Sequence, residues 1–167
     1  MAPITQWNPA TKISRGNIAV GVADVVIDID KPLLTELSSG IGLDCSITTM
    51  NGTSSTDSES VDWLCDPSSE QLPGSTTHAI DDLVIKSSGQ DDEDLITGLN
   101  IGDTVYIWRR DGIAHEDTLA VGQRVWVWKA VITSIDPLEA SNTFVGITAH
   151  ITVMARSKTA VAIVAGP

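Results

Sequence analysis

The fold is restricted most by a two-residue alternation of apolar and polar side chains, which recurs along this 167-residue chain. The clearest instance covers residues 121–135, where Val125 and Val127 alternate with Trp126 and Trp128. Successive side chains of a strand point to opposite faces of its sheet. The pattern therefore predicts a strand whose two tryptophans project from the same face.

Similar alternation predicts further strands, and only short segments have helical character. We expect strands over 18–30 (with a bulge near 23–24), 43–50, 76–86, 104–109, 144–155 and 160–165. One or two helical turns are expected over 33–37, and loops over 53–60 and 67–75, which are rich in Ser, Thr, Pro and acids. These elements predict a mainly β fold, a β-sandwich or partial barrel with one short helix and extended terminal arms.

The chain reads as one domain with a tail at each end. Residues 1–17 are expected to form an N-terminal arm, 18–156 the β domain, and 157–167 a C-terminal arm or edge strand. Trp7 in the first arm is a candidate contact with a neighbouring subunit, although packing on its own domain is equally open. Residues 1–10 lack the pattern of a signal peptide, and no apolar stretch is long enough to predict a membrane span.

The acidic residues are segregated along the chain. The formal net charge is −12, and 13 of the 22 acids lie from Asp44 to Asp103, where Lys86 is the only Lys or Arg. The rest of the chain has nine acids and nine bases. Tight nucleic-acid binding is disfavoured, because its affinity comes largely from Lys and Arg on phosphates. The acids are expected either to lie on solvated loops or to repel a polyanion.

The sequence contains no recognisable catalytic or cofactor pattern. The three histidines, His78, His115 and His150, are scattered, and no nucleophile elbow or phosphate-binding Gly-rich loop is present. Cys45 and Cys65 lack metal-ligand spacing. We predict neither an enzyme nor a cofactor. The acidic loop of Asp91, Asp92, Glu93 and Asp94 also lacks the spacing of an EF-hand, so no metal site is predicted there.

The tryptophan pair leaves three interpretations open. Trp126 and Trp128 are candidates for the domain core, for a subunit interface, or for a platform that binds sugars. Trp is enriched in the buried centres of protein contacts, which favours the interface over the platform. A non-catalytic carbohydrate-binding β-sandwich is therefore kept as an alternative function.

Several segments resemble the major tail tube proteins of long-tailed bacteriophages. The resemblance runs from about residue 42 to 153 and rests on GLDCSITT (42–49), LPGSTT (72–77), GDTVYIWRR (102–110) and TAHITV (148–153). From the resemblance we expect no additional immunoglobulin-like domain of the kind that some relatives carry.

The resemblance implies a virion structural protein of the tail, made in the host cytoplasm, that closes into hexameric rings. The rings would stack through loops and terminal arms into a tube that DNA passes without specific binding. Tape-measure and terminator proteins would be its partners, and no membrane is involved. Asp81 and Asp82 are preferred to the acidic loop as lumen-facing acids. A tail-terminator or connector ring is the alternative within the virion.

Overall fold

A computed structural model of the chain describes residues 16–43, 46–47, 50–62, 69–87, 99–138 and 145–166. Trp7, the four acids at 91–94, and both cysteines lie outside the described residues. The elements, in chain order, are β1 (Ile18–Ala23), α1 (Leu34–Ser38), β2 (Ile41–Gly42), β3 (Gly52–Asp62), β4 (Ser69–Ile80), β5 (Leu83–Ser87), β6 (Thr104–Asp111), β7 (Arg124–Pro137), β8 (Val145–Arg156) and β9 (Val161–Ala162).

Seven of the strands form one antiparallel sheet, in the order β2-β1-β6-β7-β8-β5, with β9 also paired to β7. The sheet curls into a half-barrel. Strands β3 and β4 form a separate two-stranded sheet. The mainly β fold with a short helix is thereby confirmed.

The pairing of β7 with β8 is irregular. The register shifts twice along this pair, between Lys129 and Ala130 and between Ile132 and Ser134. An extra residue in one strand bends it and increases its twist. These irregularities allow the 14-residue β7 to pair with β6 along its first half and with β8 along its second.

Both faces of the curled sheet are covered by apolar clusters, which explains runs of consecutive buried residues such as Val127 and Trp128. The first cluster lies on the face of Trp128 and includes Ile107, Ala130, Ile132, Leu83 and Ile85. The second lies on the face of Val127 and includes Val125, Trp108, Leu37 of α1 and Ile163. The C-terminal segment completes this second face, because the N–H of Val164 donates to Pro32 O at 2.9 Å and β9 pairs with β7.

Some sequence-based boundaries were wrong. Strand β1 ends at Ala23 instead of continuing to residue 30, and the strand expected over 76–86 is broken at Asp81 and Asp82. A continuous strand over 43–50 is also wrong, because the N–H groups of Ser46 and Ile47 both donate to Leu43 O in a turn. The loops expected over 53–60 and over most of 67–75 are instead strands β3 and β4.

Candidate assembly surface

The two candidate lumen acids lie in the short link between β4 and β5, and both are exposed. Asp81 is tied to the start of the hairpin: its N–H donates to Asn51 O at 3.1 Å, and Asn51 Nδ2 donates to Asp81 Oδ2 at 3.2 Å. This link therefore holds the carboxylate of Asp81 at a defined position on the surface. Its orientation toward a lumen stays a prediction.

Asp82 belongs to a cluster that sequence reasoning did not identify. The imidazole of His150 lies between two carboxylates, with Nδ1 2.7 Å from Asp82 Oδ2 and Nε2 3.0 Å from Asp136 Oδ2. Only the doubly protonated ring can donate to both. The hydrogen bond to Asp82, the largest effect, and the contact with Asp136 raise the pKa of His150 above 6.5, against an opposing effect of desolvation. This histidine clasp joins the start of β5 to β7 and β8.

The tryptophan pair lies on one face of β7, as predicted. The rings of Trp126 and Trp128 are stacked, with centroids 6.3 Å apart and planes inclined by 29°. Trp128 is only 3% exposed and is part of the first core cluster, whereas Trp126 is half-buried beside it. Two exposed rings, as a sugar platform would require, are therefore not present. The role of Trp126 in a subunit interface stays a prediction.

Two arginines on the neighbouring strands flank these rings. Cross-strand register places Arg109 opposite Trp126 and Arg156 opposite Trp128. The guanidinium of Arg156 lies over the Trp126 ring, 5.2 Å from its centroid. Arg109 Nε donates to Asp111 at 2.7 Å, and its Nη1 donates to the carbonyl of Met50 at 2.8 Å.

Together these side chains form a recess of about 260 Å³, which we call the Trp–Arg recess. It is lined by Gly52, Arg109, Asp111, Trp126, Trp128 and Arg156. The Trp-x-Trp spacing indicated its floor. The arginines were missed because the register between β6, β7 and β8 is set by tertiary pairing, which no local pattern encodes.

Much of the β3–β4 hairpin is exposed to solvent. Its side chains from Gly52 to Ser58, and from Leu72 to Thr77, are all exposed. Polar side chains pair across it, with Thr56 Oγ1 2.8 Å from Thr76 Oγ1 and Ser54 Oγ 2.9 Å from His78 Nδ1. A two-stranded hairpin without a hydrophobic face is marginally stable in water. The hairpin is therefore a natural element for contact with another chain.

Within the described residues, no group of three or more His, Cys, Asp or Glu side chains is arranged to hold a metal ion. No helix in the described ranges is long and apolar enough to cross a membrane.

The solved structures similar to this chain include the tail tube of SPP1, determined by solid-state NMR and cryo-EM. The TM-score is 0.54 at 16% identity, over 87% of this chain and 78% of that one. The cryo-EM baseplate of the anti-feeding prophage also matches, at TM-score 0.45 and 13% identity, over 88% of this chain and 95% of the other. No match was found among curated proteins. A family model described as phage tail tube protein matches residues 5–166. The resemblance inferred from sequence is thus confirmed, and the chain belongs to the phage tail tube protein family.

Proposed function

We propose that this chain is a non-enzymatic structural subunit that assembles into stacked hexameric rings and so builds a phage tail tube through which DNA passes. The family match over residues 5–166 is the observation that carries this proposal. In the virion, the tape-measure and terminator proteins would be its partners.

The ends of the curled sheet support self-assembly. Its strand order ends at β2, which has two residues, and at β5, which has five. Sheet edges are templates for pairing with another chain, and closing a ring removes them. The exposed hairpin adds a second surface suited to contacts between rings.

Negative-stain electron microscopy of the purified full-length protein, over a range of concentrations, tests this function. We expect tubes roughly 100 Å wide, the size of a few-nanometre domain arranged around a DNA-sized hole. Single rings that never stack would favour the terminator or connector alternative. Monomers at every concentration would contradict self-assembly.

The charge distribution supports the passage of DNA without its retention. Acids from a strongly acidic segment would recur sixfold around a lumen and repel phosphates, over a range that salt limits to about 8–10 Å. Asp81 is the better of the two candidate lumen acids to test, because Asp82 also holds His150.

Replacing Asp81→Lys should leave tube assembly intact but slow DNA ejection, since each ring would gain six cations near the DNA path. The measurement is the rate of DNA release from particles that carry the variant. Asp24→Lys, which makes the same charge change at an exposed position outside the acidic segment, is the matched control. Ejection as fast as in the wild type would refute the lumen position of Asp81.

A further inference from the structure

The Trp–Arg recess contains buried hydrogen-bond donors without acceptors. Trp128 Nε1 and Arg156 Nε are both buried, and neither has a hydrogen-bond partner among the described residues. A buried indole N–H ordinarily finds an acceptor, because leaving it unpaired is costly. Both atoms belong to side chains that line the same recess, but neither atom is accessible from it, so a ligand there would meet the outer nitrogens of the Arg156 guanidinium.

The charge of the recess indicates what this ligand is. Asp111 neutralises Arg109 through the 2.7 Å ion pair. Arg156 lies on Trp126, and no carboxylate in the described ranges forms an ion pair with it. The positive charge of Arg156 therefore remains unmatched in the recess. A carboxylate fits it, because a carboxylate has two acceptor oxygens and no donor, and arginine binds it with charge-assisted hydrogen bonds.

The shape of the recess depends on Gly52. A Cβ at this position would lie 2.7 Å from Cζ2 of Trp128, so a larger residue would displace the indole. Because Gly52 has no side chain, the recess stays open next to the first residue of the hairpin. The opening is therefore next to the β3–β4 hairpin, whose exposed side chains a neighbouring molecule can contact.

A second copy of this chain is the occupant that the charges favour. Each copy carries its whole acidic excess in residues 44–103, and the hairpin region 52–80 contains acids but no Lys or Arg. Asp57, for example, is exposed on β3. A neighbouring copy would therefore present carboxylates to a recess that has unmatched positive charge.

We propose that the Trp–Arg recess binds an Asp or Glu side chain of a second copy of this chain, with the guanidinium of Arg156 as the donor and the Trp126 ring holding that guanidinium in place. This inference rests on the proposed self-assembly. It adds a specific contact, a desolvated carboxylate–arginine pair, that the assembly needs.

Sedimentation velocity of the full-length protein tests this proposal. The quantity measured is the concentration at which half of the subunits are assembled. Arg156→Gln removes the charge and the guanidinium fork, and we expect this concentration to rise at least ~10-fold, as for loss of one partner of a buried charge pair. Lys31→Gln, which removes one exposed positive charge elsewhere, is the control and should change it by less than about twofold.

Circular dichroism and thermal melting establish that each variant is folded. If Arg156→Gln does not fold, Arg156→Lys decides. Lysine keeps the charge but lacks the planar fork that stacks on Trp126. A rise of about threefold or more in the half-assembly concentration of Arg156→Lys would therefore support the proposal, and an unchanged concentration would overturn it. Equal effects of Arg156→Gln and Lys31→Gln would also overturn it, because net charge alone would then explain them.

The two proposals fail in different ways. Wild-type protein that never assembles overturns both the self-assembly and the recess contact. Wild-type assembly that Arg156→Gln leaves unchanged overturns the recess contact alone.

Discussion

At the residue scale, the largest fully buried side chain among the described residues is a charged one, Arg110 of β6. Its guanidinium donates only to neutral acceptors of the β6–β7 connection: the carbonyls of Ala114 and Asp117, both at 2.7 Å, the carbonyl of Thr118 at 3.2 Å, and Gln123 Oε1 at 3.0 Å. Buried polar groups are stable only when hydrogen-bonded. Arg110 and the connection from 112 to 123 therefore depend on each other.

Replacing Arg110→Leu should destabilise the protein by about 3 kcal/mol, because three carbonyls and the Gln123 side chain would lose their buried donor. The free energy of unfolding, from urea denaturation of the monomer, is the measurement. The matched control is Arg124→Leu, the same substitution at an exposed position of β7, which should change the free energy of unfolding by no more than about 0.5 kcal/mol. Similar losses in the two variants would contradict the role of Arg110.

The histidine clasp makes stability depend on pH in a defined direction. The folded-state pKa of His150 is raised above 6.5, so its stabilisation is fully present below that pH and is lost as the pH rises through the raised pKa. The urea midpoint of wild type should therefore exceed that of His150→Gln by more at about pH 5.5 than at about pH 8.5.

A double-mutant cycle with Asp82→Asn isolates the ion pair from other effects of losing the imidazole. The coupling between the two sites should fall as the pH rises. A coupling that does not change between these pH values would contradict a folded-state pKa of His150 within this range.

At the element scale, the pairing of β5 with β8 depends on a close approach of two backbones. Gly146 of β8 lies opposite Lys86 of β5, and a Cβ at position 146 would collide with the carbonyl oxygen of Ile85. A backbone atom cannot swing aside as a flexible side chain can. The absence of a side chain at 146 therefore allows the last strand of the sheet to pair.

Replacing Gly146→Ala should lower the free energy of unfolding by about 1–3 kcal/mol, the usual cost of forcing atoms into a packed region. Gly42→Ala is the matched control, because Gly42 is also in a strand and a Cβ there would have no heavy atom within 4 Å. The Gly42→Ala variant should have an unchanged or slightly higher free energy of unfolding. Equal destabilisation by the two changes would argue against the steric explanation.

At the scale of the whole molecule, the curled sheet and the polar hairpin have separate requirements for stability. The sheet is covered on both faces by its own apolar clusters. The hairpin is held mainly by polar cross-strand pairs and projects exposed side chains. We therefore expect folding to depend on the sheet and assembly to depend on the hairpin.

Shortening the hairpin separates these two properties. Joining Thr56 to Thr76, which are opposite each other in the register, through an Asn-Gly turn keeps its base and favours a tight hairpin. The thermal midpoint of the monomer should change by only a few degrees, for a loss of less than about 1 kcal/mol, while assembly measured by sedimentation should be lost. Tubes as abundant as those of the full-length chain would contradict the assembly role.

Much of the sheet was predictable from the sequence, because strands such as β6 and β7 combine alternation with burial on both faces. The hairpin was not, because its alternating Ser, Thr and acidic residues have the composition of a loop. Such residues form strands here through pairing with a partner strand. The histidine clasp and the arginines of the recess could not be predicted from the sequence either, because both features bring together residues from separate strands.

The sequence by itself determined the β class, the tryptophan face of β7, the confinement of the acidic excess to residues 44–103, and the family. The first three properties are local or compositional, so periodicity and counting suffice to find them, whereas the family rests on the resemblance of several segments. Only the tertiary structure decided that Trp128 is buried, that Arg156 stacks on Trp126, and that Asp82 holds His150. The physical reason is register: which residues face each other across a curled sheet depends on bulges and on pairing between distant segments.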